Sequence, residues 1–463
     1  MNANMADREI ITDEDNTGAA FTEPDLDDDA VSTTSTIEFE HEPFDTFQEK
    51  VLQLCHQDVY PDVPADAIQI TRMEGGSYNR VIGITINAPL KTPTIFQRIH
   101  QRLLECFGAK IKASKPQEFV IRIPRTEHAW VEHEIAIVRY LKDSGIPVPT
   151  IERFDLTKNN AIGERYTIQR LLPGSPAVEA YFDLNTAQQV SFARDLGLAL
   201  KQMAQYSASV PGTLDPAHAG ESSLQPEILR LHCPPRNAFR PVDPNDATLP
   251  SEPQTVMDFL SSQFSRQRLY DLSCNREFIN PWKQMWPIVA EMDKMGIFDD
   301  DRYYLTHMDF FARNMLVEVV DENTSKLSGI LDWDEAVFAP AFVNCCPPSW
   351  MWDMEGEDEE EELDEAKSND TPSDPNLQQV KKAFEDAVGG EYLRYAYTPE
   401  YRIARAICRL AIAGFHSGDD YNAFEKATAE WNELHPDHAV GGLYDDSDIE
   451  DIEDEEPAAE EEA

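Results

Sequence analysis

The sequence lacks any apolar run of the roughly 18 residues that a membrane-spanning helix needs. Its first residues contain neither a basic stretch followed by an apolar one, which a secretion signal requires, nor the arginine-rich composition of an organellar transit peptide. These absences predict a soluble, cytoplasmic protein that does not contact a membrane.

Cysteine is also sparse. The 463 residues include seven cysteines, and no two have the C-x-x-C spacing of a zinc site or a redox motif. Scattered cysteines in odd number predict reduced thiols, and we expect the adjacent Cys345 and Cys346 to be core or bend residues. Pro436 lies between His435 and His438, so a metal site is not expected there.

Basic residues are few, 39 against 86 acidic ones, and the formal net charge is −47. No basic face is visible, which argues against nucleic acid as a partner. The acidic residues concentrate in segments 1–43, 353–365 and 445–463. Runs of this kind repel themselves and stay solvated, and their alternative function is to dock a basic protein partner.

Residues 303–334 hold the strongest functional pattern. His307, Asp309 and Asn314 form H-x-D-x-x-x-x-N, and two strand-like segments follow, MLVEVV and KLSGIL, separated by the polar turn DENTS. This pattern predicts a β-hairpin with Asp332 at its exit. Because a hairpin brings its two ends together, Asn314 and Asp332 should be neighbours.

These side chains suit magnesium and phosphate chemistry. Magnesium takes a few hard oxygen ligands, keeps several waters and shares substrate phosphates, so the Asn314 amide oxygen and the Asp332 carboxylate would suffice. Asp309 would lie beside the metal, where a carboxylate can accept the proton of an incoming hydroxyl. His307 is better suited to bracing the loop. The alternative is a solvated polar loop without this chemistry.

A second hairpin is predicted near the N-terminus, from the strand-like segments 67–73 and 81–86. Between them, Gly75 and Gly76 allow the backbone to approach a ligand closely, as loops that cover phosphates do. An ordinary glycine-rich turn is the alternative.

The strand EFVIRIPR and the helix AWVEHEIAIVRYL point to an ion pair. Alternation puts Arg122 on the strand face away from Phe119, where a cation can hold nucleotide phosphates or extend to solvent. On the helix, Glu134 falls in the middle of the predicted buried stripe, and His133 falls off it. A buried carboxylate needs a positive partner, so the periodicity predicts an Arg122–Glu134 pair. The alternative places Glu134 at a partly exposed edge of the stripe.

The segment LPGSPA, residues 172–177, predicts a hinge. Amphipathic patterns predict a helix at 94–107, another at 185–206, two more before the H-x-D motif and three after the acidic run at 353–365.

The order of these motifs resembles the aminoglycoside phosphotransferase family of the protein-kinase-like fold, in its fungal-type members. GGSYN, FVIR, HMDFFARN and ILDWD carry the resemblance, which covers about residues 65–440. It implies an α+β, two-lobed fold, with a small antiparallel-sheet lobe that carries one helix and a larger helical lobe. The predicted division is a disordered acidic segment 1–44, a nucleotide-binding lobe 45–172, a catalytic and substrate lobe 173–440 with an acidic insertion near 353–375, and a disordered acidic tail 441–463.

The resemblance also implies an activity, the transfer of the γ-phosphoryl group of ATP to a hydroxyl of a small molecule, with Mg²⁺ as the metal. The implied roles are Asp309 as base, Asn314 and Asp332 as magnesium ligands, Arg122 on the nucleotide phosphates with Glu134 as its partner, Gly75, Gly76 and Ser77 over those phosphates, the backbone of residues 170–172 at the adenine, and Asp334 as an outer ligand.

Two residues depart from the family pattern. Arg122 stands where the family usually has Lys, and the planar guanidinium of arginine binds phosphate differently from the point charge of a lysine ammonium. Met308 stands where the family usually has Gly, and a side chain at this position narrows the approach of the acceptor. Both favour the alternative of a catalytically weak or inactive pseudokinase-like scaffold that binds ATP and recruits partners. A protein kinase proper fits less well, because Asp332-Trp333-Asp334 replaces D-F-G and no A-P-E segment follows.

Overall fold

The computed structural model describes residues 41–73, 78–87, 115–125, 131–218, 227–231, 250–273, 280–300, 302–353 and 363–442. Within this part of the chain, two hydrophobic cores are present, a small one on an antiparallel sheet and a larger one among helices. The predicted helix at 94–107, the glycines at 75 and 76, Ser77 and most of each acidic run lie outside the described residues.

The small core lies on a five-stranded sheet with the order β1-β2-β3-β5-β4, in which every neighbouring pair is antiparallel. Its strands are β1 Ile68–Arg72, β2 Asn79–Ile86, β3 Gln117–Pro124, β4 Ile151–Asp155 and β5 Tyr166–Arg170. Alternate residues of β3 are buried, Phe119, Ile121 and Ile123, as the sequence predicts. Arg122 therefore projects from the opposite face of the central strand.

Helix α1, Phe44–Leu54, covers the apolar face of this sheet. Its buried residues Phe47, Val51 and Leu54 follow the spacing of one helical face. Because α1 takes that face, the face that carries Arg122 is available to the functional site.

Helix α2, Val131–Tyr140, differs from its prediction in one respect. Glu134 is buried as expected, but His133, predicted to lie off the buried stripe, is also only 4% exposed. The reason is that α2 is covered on more than one side: Ala136 and Val138 belong to the larger core, so the helix lies between that core and the sheet. A single amphipathic stripe does not describe such a helix.

The larger core is built from the remaining elements. Its helices are α3 Ala177–Ala180, α4 Thr186–Met203, α5 Val256–Ser273, α6 Pro281–Lys294, α7 Pro375–Val388, α8 Gly390–Tyr397, α9 Pro399–Ala413 and α10 Gly418–Leu434. Its strands are β6 Ser175–Pro176, β7 Ser207–Ala208, β8 Thr213–Leu214, β9 Ile228–Leu229, β10 Tyr303–Thr306, β11 Met315–Asp321, β12 Thr324–Ile330 and β13 Val337–Pro340.

The C-terminal part contains one helix more than the sequence predicts, since the structure has four between 375 and 434 where three were expected. The extra one is the short α8. Gly389, with φ of +95°, separates it from α7, and Pro399 begins the next helix.

The predicted hairpin is present in β11 and β12. Met315 pairs with Ile330, and the Leu331 N–H donates a 2.8 Å hydrogen bond to the Asn314 carbonyl. The backbones on either side of the hairpin therefore meet at Asn314 and Leu331, which places Asp332 one residue further on. No helix in the described part of the chain combines the length and apolar character needed to cross a bilayer.

Candidate active site

The loop after β10 turns sharply at Met308. The Asp309 N–H donates to the His307 carbonyl at 2.8 Å, and Met308 has φ of +64°. Residues with a side chain seldom adopt positive φ, which gives a backbone reason for the glycine usual at this position in the family that the sequence resembles.

His307 ties this loop to the exit of the hairpin. Its ring is fully buried, its Nε2 lies 2.8 Å from the Leu331 carbonyl, and it packs edge-on against Trp333 with 4.6 Å between ring centroids. Burial lowers the pKa of His307. Because a carbonyl oxygen only accepts, Nε2–H is the donor to Leu331. These contacts are those that the predicted brace requires.

The side chains of Asp309 and Asn314 are connected by a hydrogen bond. Asn314 Nδ2 donates to Asp309 Oδ2 at 2.7 Å and to the Asp309 carbonyl at 3.0 Å. Asp309 Oδ1 accepts from Arg313 Nη2 at 2.7 Å. Asn314 is 8% exposed, and its amide nitrogen is fixed by Asp309. Its Oδ1 is therefore the atom that a metal would use.

Asp332 lies in the left-handed region, with φ of +64° and ψ of 58°. Its carboxylate accepts a hydrogen bond from Arg122 Nη2. Burial raises the pKa of Asp332, but the charge and hydrogen bond of Arg122 outweigh burial and hold that pKa below its usual value. Burial, reinforced by the Asp332 charge, raises the pKa of the nearby Asp334 carboxyl to about 8.

Arg122 bridges two carboxylates. Its Nη1 donates to Glu134 Oε1 at 2.7 Å, which is the ion pair that periodicity predicts, and its Nη2 bonds to Asp332. The second contact was not expected from the sequence. A planar guanidinium can serve both partners at once, whereas the single ammonium of a lysine would present one point charge.

Gln169 is a buried site residue that the sequence analysis missed. It is 2% exposed, and its Nε2 donates to Glu134 Oε1 at 3.0 Å. The same oxygen therefore accepts from both Arg122 and Gln169. A signal was present in the sequence: in the strand YTIQR, the polar Thr167 and Gln169 alternate with the apolar Tyr166 and Ile168. In the structure Thr167 pairs with Arg122.

Tyr78 marks the near end of the glycine hairpin. Its backbone carbonyl accepts from the Arg125 N–H at 2.9 Å. Burial raises the pKa of the Tyr78 hydroxyl, and the charges of Glu335 and Asp309 add to that rise. Tyr78, the first described residue after residues 74–77, therefore lies within the electrostatic influence of Asp309 and Glu335.

The donor set fits magnesium. Among the described residues no group of three or more His, Cys, Asp and Glu side chains could hold a metal ion. The site proposed from the sequence would not form such a group, since it combines one amide oxygen with one carboxylate and leaves the other positions to water and phosphate. Hard oxygen donors of this kind suit Mg²⁺ better than zinc or copper.

A profile described as the phosphotransferase enzyme family matches residues 110–369, more than half of the chain. The chain belongs to this family. The family resemblance stated from the motifs is thereby confirmed, as is the α+β, protein-kinase-like fold class. The fungal-type qualifier stays a prediction.

Solved structures of phosphotransferases are similar to this chain at low identity. Aminoglycoside phosphotransferase APH(4)-Ia is 12% identical, with 85% of this chain and 100% of that chain covered and a TM-score of 0.41. The macrolide 2'-phosphotransferase of Brachybacterium faecium is 16% identical, covering 86% and 97%, with a TM-score of 0.38. The ethanolamine kinase of Plasmodium vivax is 12% identical, covering 89% and 95%, with a TM-score of 0.41. The search of curated proteins found no match.

Proposed function

We propose that this phosphotransferase transfers the γ-phosphoryl group of ATP to a hydroxyl of a small molecule. The observation that carries the proposal is a continuous set of contacts at the junction of the two cores. Asp309 is bonded to Asn314, and the backbone of Asn314 is bonded to that of Leu331. The next residue, Asp332, is bonded to Arg122, which is paired with Glu134.

Arg122 and the glycine hairpin form the nucleotide side of the site. Arg122 is fixed in place by Glu134, with Gln169 supporting that carboxylate, so its guanidinium can meet phosphate oxygens without first being ordered. Gly75, Gly76 and Ser77 would cover the same phosphates, and the backbone of residues 170–172 would meet the adenine.

Asn314 and Asp332 would hold the magnesium ion. When bound, Mg²⁺ neutralises charge that develops on the phosphate oxygens during transfer. The structure supports this assignment through the amide of Asn314, whose Nδ2 is committed to Asp309, and through the lowered pKa of Asp332, which keeps that carboxylate charged.

Asp309 would act as the base. Its carboxylate is 27% exposed, so a hydroxyl can reach it, and Asn314 restricts its rotation. Phosphoryl transfer asks little covalent chemistry of the protein, so positioning of the acceptor and neutralisation of charge are the main contributions.

A second candidate is an ATP-binding scaffold with little or no transfer activity. The Arg122–Asp332 contact favours it, because a metal ion must compete with Arg122 for the Asp332 carboxylate. Met308 favours it too, since the family usually has glycine at this position and a side chain there narrows the approach of the acceptor. In this alternative the acidic segments recruit a basic protein partner.

Nucleotide binding and turnover separate the two candidates. The Tm of the protein should rise with ATP plus Mg²⁺, and more than with either alone, if a nucleotide site is present. A screen of hydroxylated metabolites with radiolabelled ATP then tests transfer. A Mg-dependent rise in Tm without any phosphorylated product would favour the scaffold, and no rise with Mg-ATP would refute both.

The Asp309→Asn variant tests the base. We expect transfer to fall by about 10²–10⁴-fold, while the rise in Tm with Mg-ATP stays close to that of the parent, because this carboxylate acts on the acceptor proton. Transfer at the parental rate would show that Asp309 is not the base.

A further inference from the structure

Arg313 lies next to Asp309 and has no role in the proposed function. Its Nη2 is 2.7 Å from Asp309 Oδ1, and its side chain is 47% exposed. It directly precedes Asn314 in the chain. A cation in direct contact with the base has to be accounted for in any mechanism that uses Asp309.

The two oxygens of Asp309 have different neighbours. Oδ2 accepts from Asn314, which is buried, whereas Oδ1 accepts from the half-exposed Arg313. Oδ1 is therefore the oxygen on the solvent side, where an acceptor hydroxyl must arrive. The guanidinium of Arg313 therefore lies on the solvent side of the Asp309 carboxylate.

Phe311 holds the guanidinium there. The central carbon of the Arg313 guanidinium lies 4.4 Å from the centroid of the Phe311 ring. A cation over an aromatic face is attracted to it, so Arg313 is still held by Phe311 when its hydrogen bond to Asp309 Oδ1 is broken. In the FFAR sequence of this loop, Phe311 therefore positions Arg313.

Positive charge on the acceptor side, in addition to that of Mg²⁺, would stabilise the phosphoryl group in transit. The phosphoryl group in transit carries charge on its three equatorial oxygens. Arg122 forms ion pairs with two carboxylates, and its side chain is mostly buried. It is therefore held on the nucleotide side of the site. Arg313 is exposed enough to reach the group from the acceptor side.

We propose that Arg313 contacts the transferred phosphoryl group, a role that rests on the proposed function. The acceptor oxygen forms a bond to the γ-phosphorus while the bond from that phosphorus to the β,γ-bridging oxygen breaks and ADP leaves. The hydroxyl proton passes to Asp309 Oδ1. Arg313, released from that oxygen, neutralises the equatorial oxygens.

Aluminium fluoride with Mg-ADP is the probe, because it mimics the phosphoryl group in transit. We expect Mg-ADP to raise the Tm of the parent, and aluminium fluoride to raise it further. Arg313→Ala should keep the first rise and lose most of the second. Arg313→Lys, which retains a single point charge, should recover part of it.

Lys326→Ala is the matched control. Lys326 is also 47% exposed and also forms an ion pair, at 2.9 Å with Glu318, but it lies in β12 away from the Asp332 end of the hairpin. It should retain both rises in Tm. Because both residues are half exposed, neither substitution should prevent folding.

The kinetic effect of Arg313→Ala should be confined to the phosphoryl-transfer step. Arg313→Ala should lower kcat by about 10²–10³-fold with little change in the KM for ATP. The proposal is overturned if this variant keeps the full aluminium fluoride response or the parental kcat. A parent that gives no response to Mg-ADP would refute the proposed function itself, and this role with it.

Discussion

At the scale of single residues, Met308 shows a conflict between backbone and side chain. Its φ of +64° is a conformation that glycine adopts freely and other residues seldom do. The side chain compensates in part, since it packs against the larger core, and Arg409 Nη2 donates to the Met308 carbonyl at 2.8 Å. The departure from glycine is therefore accommodated by the surrounding contacts.

Substitutions at 308 should separate these effects. We expect Met308→Val to lower the free energy of unfolding by about 2 kcal/mol, because a β-branched residue is more strained at positive φ. Met308→Gly should cost less, because relief of backbone strain offsets the lost packing. Urea unfolding of both variants gives the comparison, and a valine variant as stable as the glycine variant would contradict this view of the turn.

His307 predicts a dependence on pH. Burial lowers its pKa in the folded state below the ordinary 6.5, so below that pH the unfolded chain binds a proton that the folded chain does not. The contribution of the neutral His307 ring to the free energy of unfolding is fully present above pH 6.5. It declines as the pH falls toward the pKa of His307 in the folded state.

The measurement is urea unfolding at pH 7.5 and 5.5, for the parent and for His307→Gln. The parent should lose more stability between these two values than the variant does, whatever their absolute stabilities. Equal losses would mean that another group accounts for the acid sensitivity.

At the scale of elements, α4 and α7 approach closely at Gly197. A Cβ atom added there would lie 2.8 Å from the Phe384 carbonyl oxygen and 2.9 Å from the Ala387 Cβ. The first contact is with helix backbone, which cannot move aside as a flexible side chain can. Gly197 thus serves packing and not a turn.

Gly197→Leu should lower the free energy of unfolding by about 2 kcal/mol through overpacking, although leucine is the better helix former. Urea unfolding provides the measurement, and Leu198→Ala the control, because Leu198 is half exposed on the same helix. The control should change stability by less than about 1 kcal/mol. A Gly197→Leu variant as stable as the parent would show that the two helices can separate.

At the scale of the whole molecule, the two cores meet through Arg122. It extends from β3 of the small sheet to Glu134 on α2 and to Asp332 beyond the hairpin of the larger core. One guanidinium thereby couples the nucleotide side of the site to a proposed metal ligand.

Arg122→Met should lower the free energy of unfolding by about 3 kcal/mol, because it leaves the buried Glu134 carboxylate without its cation. The double variant Arg122→Met, Glu134→Gln should recover part of that loss, since the uncompensated charge is gone. Urea unfolding at neutral pH measures both, and a double variant less stable than Arg122→Met would argue against charge as the cause.

Features that depend on local periodicity follow directly from the order of residues in the chain. A period of two residues separates Arg122 from the apolar face of β3, a period of 3.6 buries Glu134, and a short turn brings the ends of the hairpin together. Each of these rests on residues close in the chain, so pattern and spacing suffice.

Tertiary structure alone decided the rest. Arg122 and Asp332 are 210 residues apart, and their contact depends on how the two cores pack and on the left-handed backbone of Asp332. Gln169 reaches Glu134 because β5 lies beside β3 in the sheet and α2 packs over them. Neither the strand order nor the second covered side of α2 has a local signal in the chain, because both follow from packing between distant segments.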